Sequence, residues 1–130
     1  MAKDVASAFF LKKGERKVVR LGLEDSEDLL FCIKQGMAEH KLEECDVIGI
    51  TGKVKEGKLA YFQGSSFKSM ELKENAVQKA SGKFRLSNEK LHGDLHITIA
   101  LGNHRIQGTL IKGKSMGEME MELGFVAIPD

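Results

Sequence analysis

The sequence predicts an α+β fold: a curved, largely antiparallel β-sheet or partly closed barrel, covered by one main α-helix. Three observations carry that prediction. Apolar residues recur at helical spacing in one place only, at Leu29, Ile33 and Met37, with Leu30 and Cys32 alongside. About eight other segments concentrate β-branched, aromatic or alternating residues between Gly-, Ser- and Asn-containing breaks. In the last of them Met119, Met121, Leu123 and Phe125 face one way and Glu118, Glu120 and Glu122 the other. Such strict alternation marks a half-buried antiparallel strand.

In chain order, residues 8–11 begin a strand that breaks at Lys12-Lys13-Gly14-Glu15, and residues 17–21 return as its hairpin partner. A helix is expected from about Ser26 to His40. Asp25 or Ser26 can accept hydrogen bonds from its first, orphan N–H groups, and the acids that follow suit its positive end. Gly36 weakens the last turn, because glycine costs about 1 kcal/mol against alanine inside a helix. Residues 45–54 are β-rich, and Gly49 and Gly52 within them predict a bulge or the close approach of another backbone.

Glu56-Gly57 reads as a turn into a strand at 58–62, and Gly64-Ser65-Ser66 separates this from a further strand at 67–72. Residues 77–86 read as a strand interrupted at Ser81-Gly82, followed by a polar turn at 87–90. Residues 91–101, a Gly102-Asn103 turn and residues 104–111 form a central hairpin. Gly113-Lys114-Ser115 then turns the chain into the last strand, and the sole proline, Pro129, stands where it disrupts no ladder.

Composition narrows the function classes. With 130 residues the chain is expected to form one domain, 1–130, and its 42% hydrophobic content suffices for a core. Lys and Arg number 20 against 19 for Asp and Glu, so no global field draws the chain to DNA or to anionic lipid. Cys32 and Cys45 lack C-x-x-C spacing and are expected to be reduced, buried residues without a disulfide or metal role. No apolar run approaches the roughly 20 residues that span a bilayer, so no membrane partner is expected. Met1-Ala2-Lys3-Asp4 opens no long apolar stretch, and the expected location is cytoplasmic.

Chemistry concentrates in the central hairpin. Side chains alternate across a strand, so Leu95, Ile97, Ile99 and Leu101 share one face of 91–101, while His92, Asp94, His96 and Thr98 share the other. His92, Asp94 and His96, with Gln107 and Thr109 of the returning strand, are the candidate ligand-binding cleft. Asp94 is placed to orient an imidazole. The plainer reading is a solvated hairpin face, and no residue is assigned a catalytic role. His40 and His104 are expected to be exposed or capping groups, and the glutamate row of the last strand a solvent face.

Several segments occur in a telling order. Val19-Arg20-Leu21 precedes Ser26-Glu27-Asp28-Leu29-Leu30; Ile48-Gly49-Ile50-Thr51-Gly52 precedes Leu59-Ala60-Tyr61-Phe62; and Ala80-Ser81-Gly82 follows. In this order the chain resembles the PPC domain, "plants and prokaryotes conserved", over about residues 8 to 126. That family's most specific motif is His-x-His on one strand and Gly-Gly-His-Leu on the next, three histidines suited to zinc in prokaryotic members. Here Asp94-Leu95-His96 and Gln107-Gly108-Thr109-Leu110 stand in those places, so only His96 carries over. Thr109 is a poor metal ligand, and the incomplete motif leaves no cofactor assigned. The resemblance further implies a homotrimer and carries a DNA-binding label, although no Arg-Gly-Arg-Pro segment of the AT-hook kind occurs in this sequence. Two function classes follow. One is a stand-alone, homotrimeric PPC-like domain in a DNA-binding or regulatory role; the other is a small-ligand-binding protein or enzyme using a polar cleft around His96.

Overall fold

The structure, a computed structural model, describes residues 15–127. In chain order it contains β1 (Glu15–Leu23), α1 (Leu29–Glu39), β2 (Glu44–Gln63), β3 (Ser66–Ser87), β4 (Lys90–Gly93), β5 (His96–Leu101) and β6 (His104–Ala127). All strand pairings are antiparallel. The sheet runs β1-β6-β2-β3-β4, and β5 pairs with both β3 and β6. β2, β3, β5 and β6 thus close on one another as a ring, while β1 and β4 lie outside it as flanks. The partly closed form is what the sequence led us to expect, with one helix against it. The expected strand at 8–11 lies outside the described residues, and within them the partner of β1 is β6.

Fewer and much longer strands are found than the sequence suggests. β2, β3 and β6 run for 20, 22 and 24 residues, and each passes without interruption through a place that reads as a break. Glu56-Gly57 and Gly113-Lys114-Ser115 are not turns: Gly57 and Gly113 are cross-strand partners in the β2–β6 ladder. A Cβ on Gly57 would collide with the Lys112 carbonyl and the Gly113 backbone, and the register slips on both sides of it, at Val54/Glu56 and Lys58/Leu59. A tight strand crossing and a tight turn both favour a missing side chain, which is why the two look alike in sequence. Ser81-Gly82 likewise lies within β3. The slips at Val47/Gly49 and Thr51/Lys53 fall beside Gly49 and Gly52, as expected.

The helical stripe does what its spacing predicts. Leu29, Ile33 and Met37 are fully buried, with Gly36 beside them, and α1 packs on β6, β1 and β3. They join Val47, Val54, Leu59, Ile97, Ile99, Met121 and Leu123 in one core. Glu118 and Glu120 on the other face of β6 are exposed, and Arg20 of β1 reaches Glu120 and Glu122 at 3.8 and 3.9 Å. Both cysteines are free thiols, Cys45 buried and Cys32 half-buried. Burial, and then Asp46, pushes the Cys45 thiol up to about 11, and burial raises Cys32 as well. Neither is a thiolate at neutral pH.

The helix cap differs from the expected one. Asp28 caps α1, its carboxylate accepting from the Phe31 N–H at 2.9 Å. Asp25 and Ser26 are occupied in pinning the preceding loop to β6. The Asp25 carboxylate accepts from the Gly117 N–H at 2.7 Å and from Lys55 Nζ at 2.9 Å, and Ser26 has a positive φ of 65°. Ser115, a fully buried polar residue of β6, holds the same loop: its hydroxyl donates to the Glu24 carbonyl and accepts from the Glu27 N–H, and its backbone bonds Ser26 and Glu27.

The Gly117 N–H and then Lys55 hold the Asp25 carboxyl down to about 2 from its ordinary 3.8. A carboxyl whose folded pKa is depressed adds stability that is present above the unfolded value and lost as pH falls through the folded one. Asp25→Asn is therefore expected to unfold at lower denaturant than the parent at pH 7. The gap should narrow between about pH 4 and 2 and close below. Denaturation midpoints across that range check this, and a gap independent of pH would refute it.

Candidate functional site

Strand parity sets which of the candidate residues meet. Residues 91–101 are not one strand, because β4 ends at Gly93 and β5 begins at His96. β4 pairs with 84–87 of β3 and β5 with 77–81, in one continuous register, and the ladder is interrupted only at Asp94 and Leu95. Gly93 ends β4 at this interruption with φ of +130°, and a Cβ there would run into the Lys83 carbonyl. Only glycine takes that backbone geometry without strain.

The interruption divides the predicted row between two hollows, although His92 and His96 keep the spacing of a single strand. His92 lies opposite Arg85, and His96 lies opposite Ser81. Four residues along β3 separate those partners, about 13 Å at strand rise. His92 instead lines a separate groove with Arg16, His40, Arg85 and Phe125.

Three other predicted residues do come together. His96 and Thr109 are direct cross-strand partners, with Thr109 Oγ1 3.1 Å from His96 Nδ1. Thr98 and Gln107 are the next such pair on the same face. On the opposite side of β5, Ser81 and Lys79 of β3 face His96 and Thr98. Two polar rows result, Ser81–His96–Thr109 and Lys79–Thr98–Gln107, backed by the buried Leu95, Ile97 and Ile99. Asp94, in the gap between β4 and β5, borders an adjoining hollow that it shares with His96, Asp46 and Lys83.

The rows, Thr109 excepted, form one wall of a cleft of about 700 Å³. The β2–β3 ladder is interrupted between Val47↔Gly82 and Lys53↔Ala76, and Ile48, Gly49 and Ile50 of the freed stretch of β2 line the cleft too. Lys79, Ser81 and Arg105 were not among the residues singled out from the sequence. Their signal was present: Lys79 and Ser81 are in step on β3, and Arg105 is in step with Gln107 and Thr109 on β6.

Zinc needs three or four nitrogen, sulfur or oxygen ligands converging on one point. Among the described residues no group of three His, Cys, Asp or Glu does so. A hydroxyl at Thr109 faces His96 where the resembled motif has an imidazole, and His92 is out of reach, so this donor set does not fit the metal. Purified protein is expected to carry clearly less than one zinc per chain. Thr109→His with Asp94→His should raise zinc affinity sharply, and His96→Ala on that background should cancel the gain. Stoichiometric zinc in the unmodified protein, measured by elemental analysis, would overturn this account of the site.

The fold is shared with solved structures. A metal-containing protein from Archaeoglobus fulgidus matches with a TM-score of 0.71 at 17% identity, over 86% of this chain and 81% of that one. A plant- and prokaryote-conserved (PPC) protein from Pyrococcus horikoshii matches with a TM-score of 0.70 at 20% identity, over 88% and 81%. A protein of Ralstonia eutropha JMP134, named as a conjectured DNA-binding protein, matches with a TM-score of 0.68 at 14% identity, over 83% and 76%. At these identities the likeness establishes the fold alone. No curated protein matches the sequence. The sequence profile of the Plants and Prokaryotes Conserved (PCC) domain matches residues 11–125, and by that match the chain belongs to this family.

Proposed function

We propose that this protein is a homotrimeric PPC domain in a regulatory role, one that binds a small ligand in the cleft around His96. The observation that carries the reading is the cross-strand set Ser81–His96 beside Lys79–Thr98–Gln107, polar side chains aligned on one wall of a concave surface over a buried apolar layer, with Thr109 3.1 Å from His96 Nδ1. A cleft of this size with a few convergent polar groups is the usual form of a small-molecule site. The reading takes the whole chain as one cytoplasmic domain. Two free thiols accord with a reducing compartment, and among the described residues no helix is long and apolar enough to cross a membrane.

Assembly is supported by an uncovered apolar patch. Val18 and Val126 are about half exposed, as is Ile48, whose side chain lies over Gly124, the cross-strand partner of Val18. Apolar side chains grouped on an outer sheet face favour contact with another chain. Light scattering is expected to return three times the 14.4 kDa chain mass. Ile48→Asp should lower it, and monomer alone at micromolar concentration would sink the trimer.

A DNA-binding reading rests on the name of the Ralstonia neighbour. Against it stands the net charge of +1, since affinity for DNA rises with the number of phosphates neutralised. A thermal-shift screen of metabolites alongside DNA titrations separates the two. A melting shift lost in His96→Ala favours the cleft. DNA affinity that survives moderate salt, with no metabolite shift, would favour DNA.

A further inference from the structure

We infer that the cleft around His96 selects a small anionic molecule, one bearing phosphate or carboxylate oxygens, through Lys79 and Arg105. The inference rests on the reading of this cleft as a ligand site and names the ligand class.

Register places the two cations. Lys79 lies opposite Thr98, and Arg105 lies opposite Ala100, one row further along β5. Neighbouring strands are about 4.8 Å apart and residues two apart on a strand about 6.8 Å, so these cations stand at opposite corners of the wall with their Cα atoms roughly 12 Å apart. Thr98 and Gln107 lie between them. Long, flexible side chains at both ends of that span can close on one molecule held in the middle.

Charge then decides what that molecule is. Among the described residues no Asp or Glu lines this cleft, and neither Lys79 nor Arg105 takes part in an ion pair. The nearby acids are engaged elsewhere. Arg20 reaches Glu120 and Glu122, Arg16 reaches Asp46 at 3.9 Å, and Asp94 lies on the other side of His96, in the hollow that also holds Lys83. Two uncompensated cations in a concave surface concentrate a positive field there.

Hydrogen-bonding capacity agrees. Arg105 and Lys79 only donate, and the Thr98 hydroxyl and Gln107 amide can donate. In the tautomer in which Thr109 donates to His96 Nδ1, the ring proton resides on Nε2 and His96 is a further donor. Such a donor-rich set matches carboxylate or phosphate oxygens, with the guanidinium able to grip two of them at once. The same cations disfavour a divalent metal, in keeping with the incomplete histidine motif. Ala80 adds apolar surface against which the body of an organic anion can rest. At about 700 Å³ the space suits a metabolite.

Isothermal titration calorimetry of the full chain at fixed ionic strength tests this, with pyrophosphate and citrate as anionic probes and adenosine and glucose as neutral ones. At least one anion is expected to bind. Lys79→Gln and Arg105→Gln should each weaken it about tenfold, the effect of one charge-assisted hydrogen bond. Lys68→Gln, on the β2–β3 hairpin away from the cleft, should leave it unchanged, and unaltered circular dichroism and melting temperature would show that the variants are folded. Anion binding indifferent to both cleft substitutions overturns the inference. Binding of a neutral probe alone overturns the anionic class while leaving the cleft as a ligand site. Binding of neither class overturns both.

Discussion

The backbone of β6 must satisfy its hydrogen bonds against three different strands, and most of the molecule follows from how it does so. Its first residues pair with β5, its middle with β2 and its last with β1. A strand of 24 residues cannot do this while staying flat, since adjacent strands twist relative to each other and the twist accumulates. Along it Gly57 and Gly113 meet, at the one kind of residue that lets two backbones approach so closely. Curling β6 in this way brings β5 round to β3 and closes the ring. Helix placement depends on the same strand, because Ser115 and the Gly117 N–H hold the loop that leads into α1.

The cleft inherits its accuracy from the core behind it. Side chains alternate with a period of two, so a one-residue slip of β5 would turn His96 inward and Ile97 outward. Ile97 and Ile99 are essentially inaccessible to solvent, and burying two such side chains is worth several kcal/mol, at about 1.5–3 kcal/mol each. That apolar anchor fixes the register that sets His96 opposite Thr109. Polar residues on the exposed side are free to differ without disturbing it.

This freedom explains how the chain can belong to the PCC family yet depart from the resembled histidine motif. Fold and chemistry are separable when the core occupies one face of a sheet and the site the other. Thr109 in place of a histidine keeps a hydrogen bond to His96 and gives up a metal ligand. Lys79 and Arg105 add positive charge beside the same ring. The wall shares the fold of the solved structures and carries the charge of Lys79 and Arg105.

Local pattern was enough to determine the helix, the alternation of β6 and that of the strand that carries His96. Each of these depends on side-chain periods of 3.6 or 2 that are visible over a few residues. The hairpin turns at Gly64-Ser65, at 87–90 and at Gly102-Asn103 were legible for a related reason, since turn geometry is set by the turn residues themselves. Only tertiary structure decided that Gly57 and Gly113 face each other inside continuous strands, because a missing side chain serves a turn and a close crossing equally well. It also decided that the ladder breaks at Asp94-Leu95 and that His92 and His96 line different hollows, which an unbroken alternating pattern does not reveal. Lys79 and Arg105 entered the site for the same reason. Their parity was readable within their own strands, but which strands become neighbours is a property of the closed ring, where contacts distant in sequence outweigh local preference.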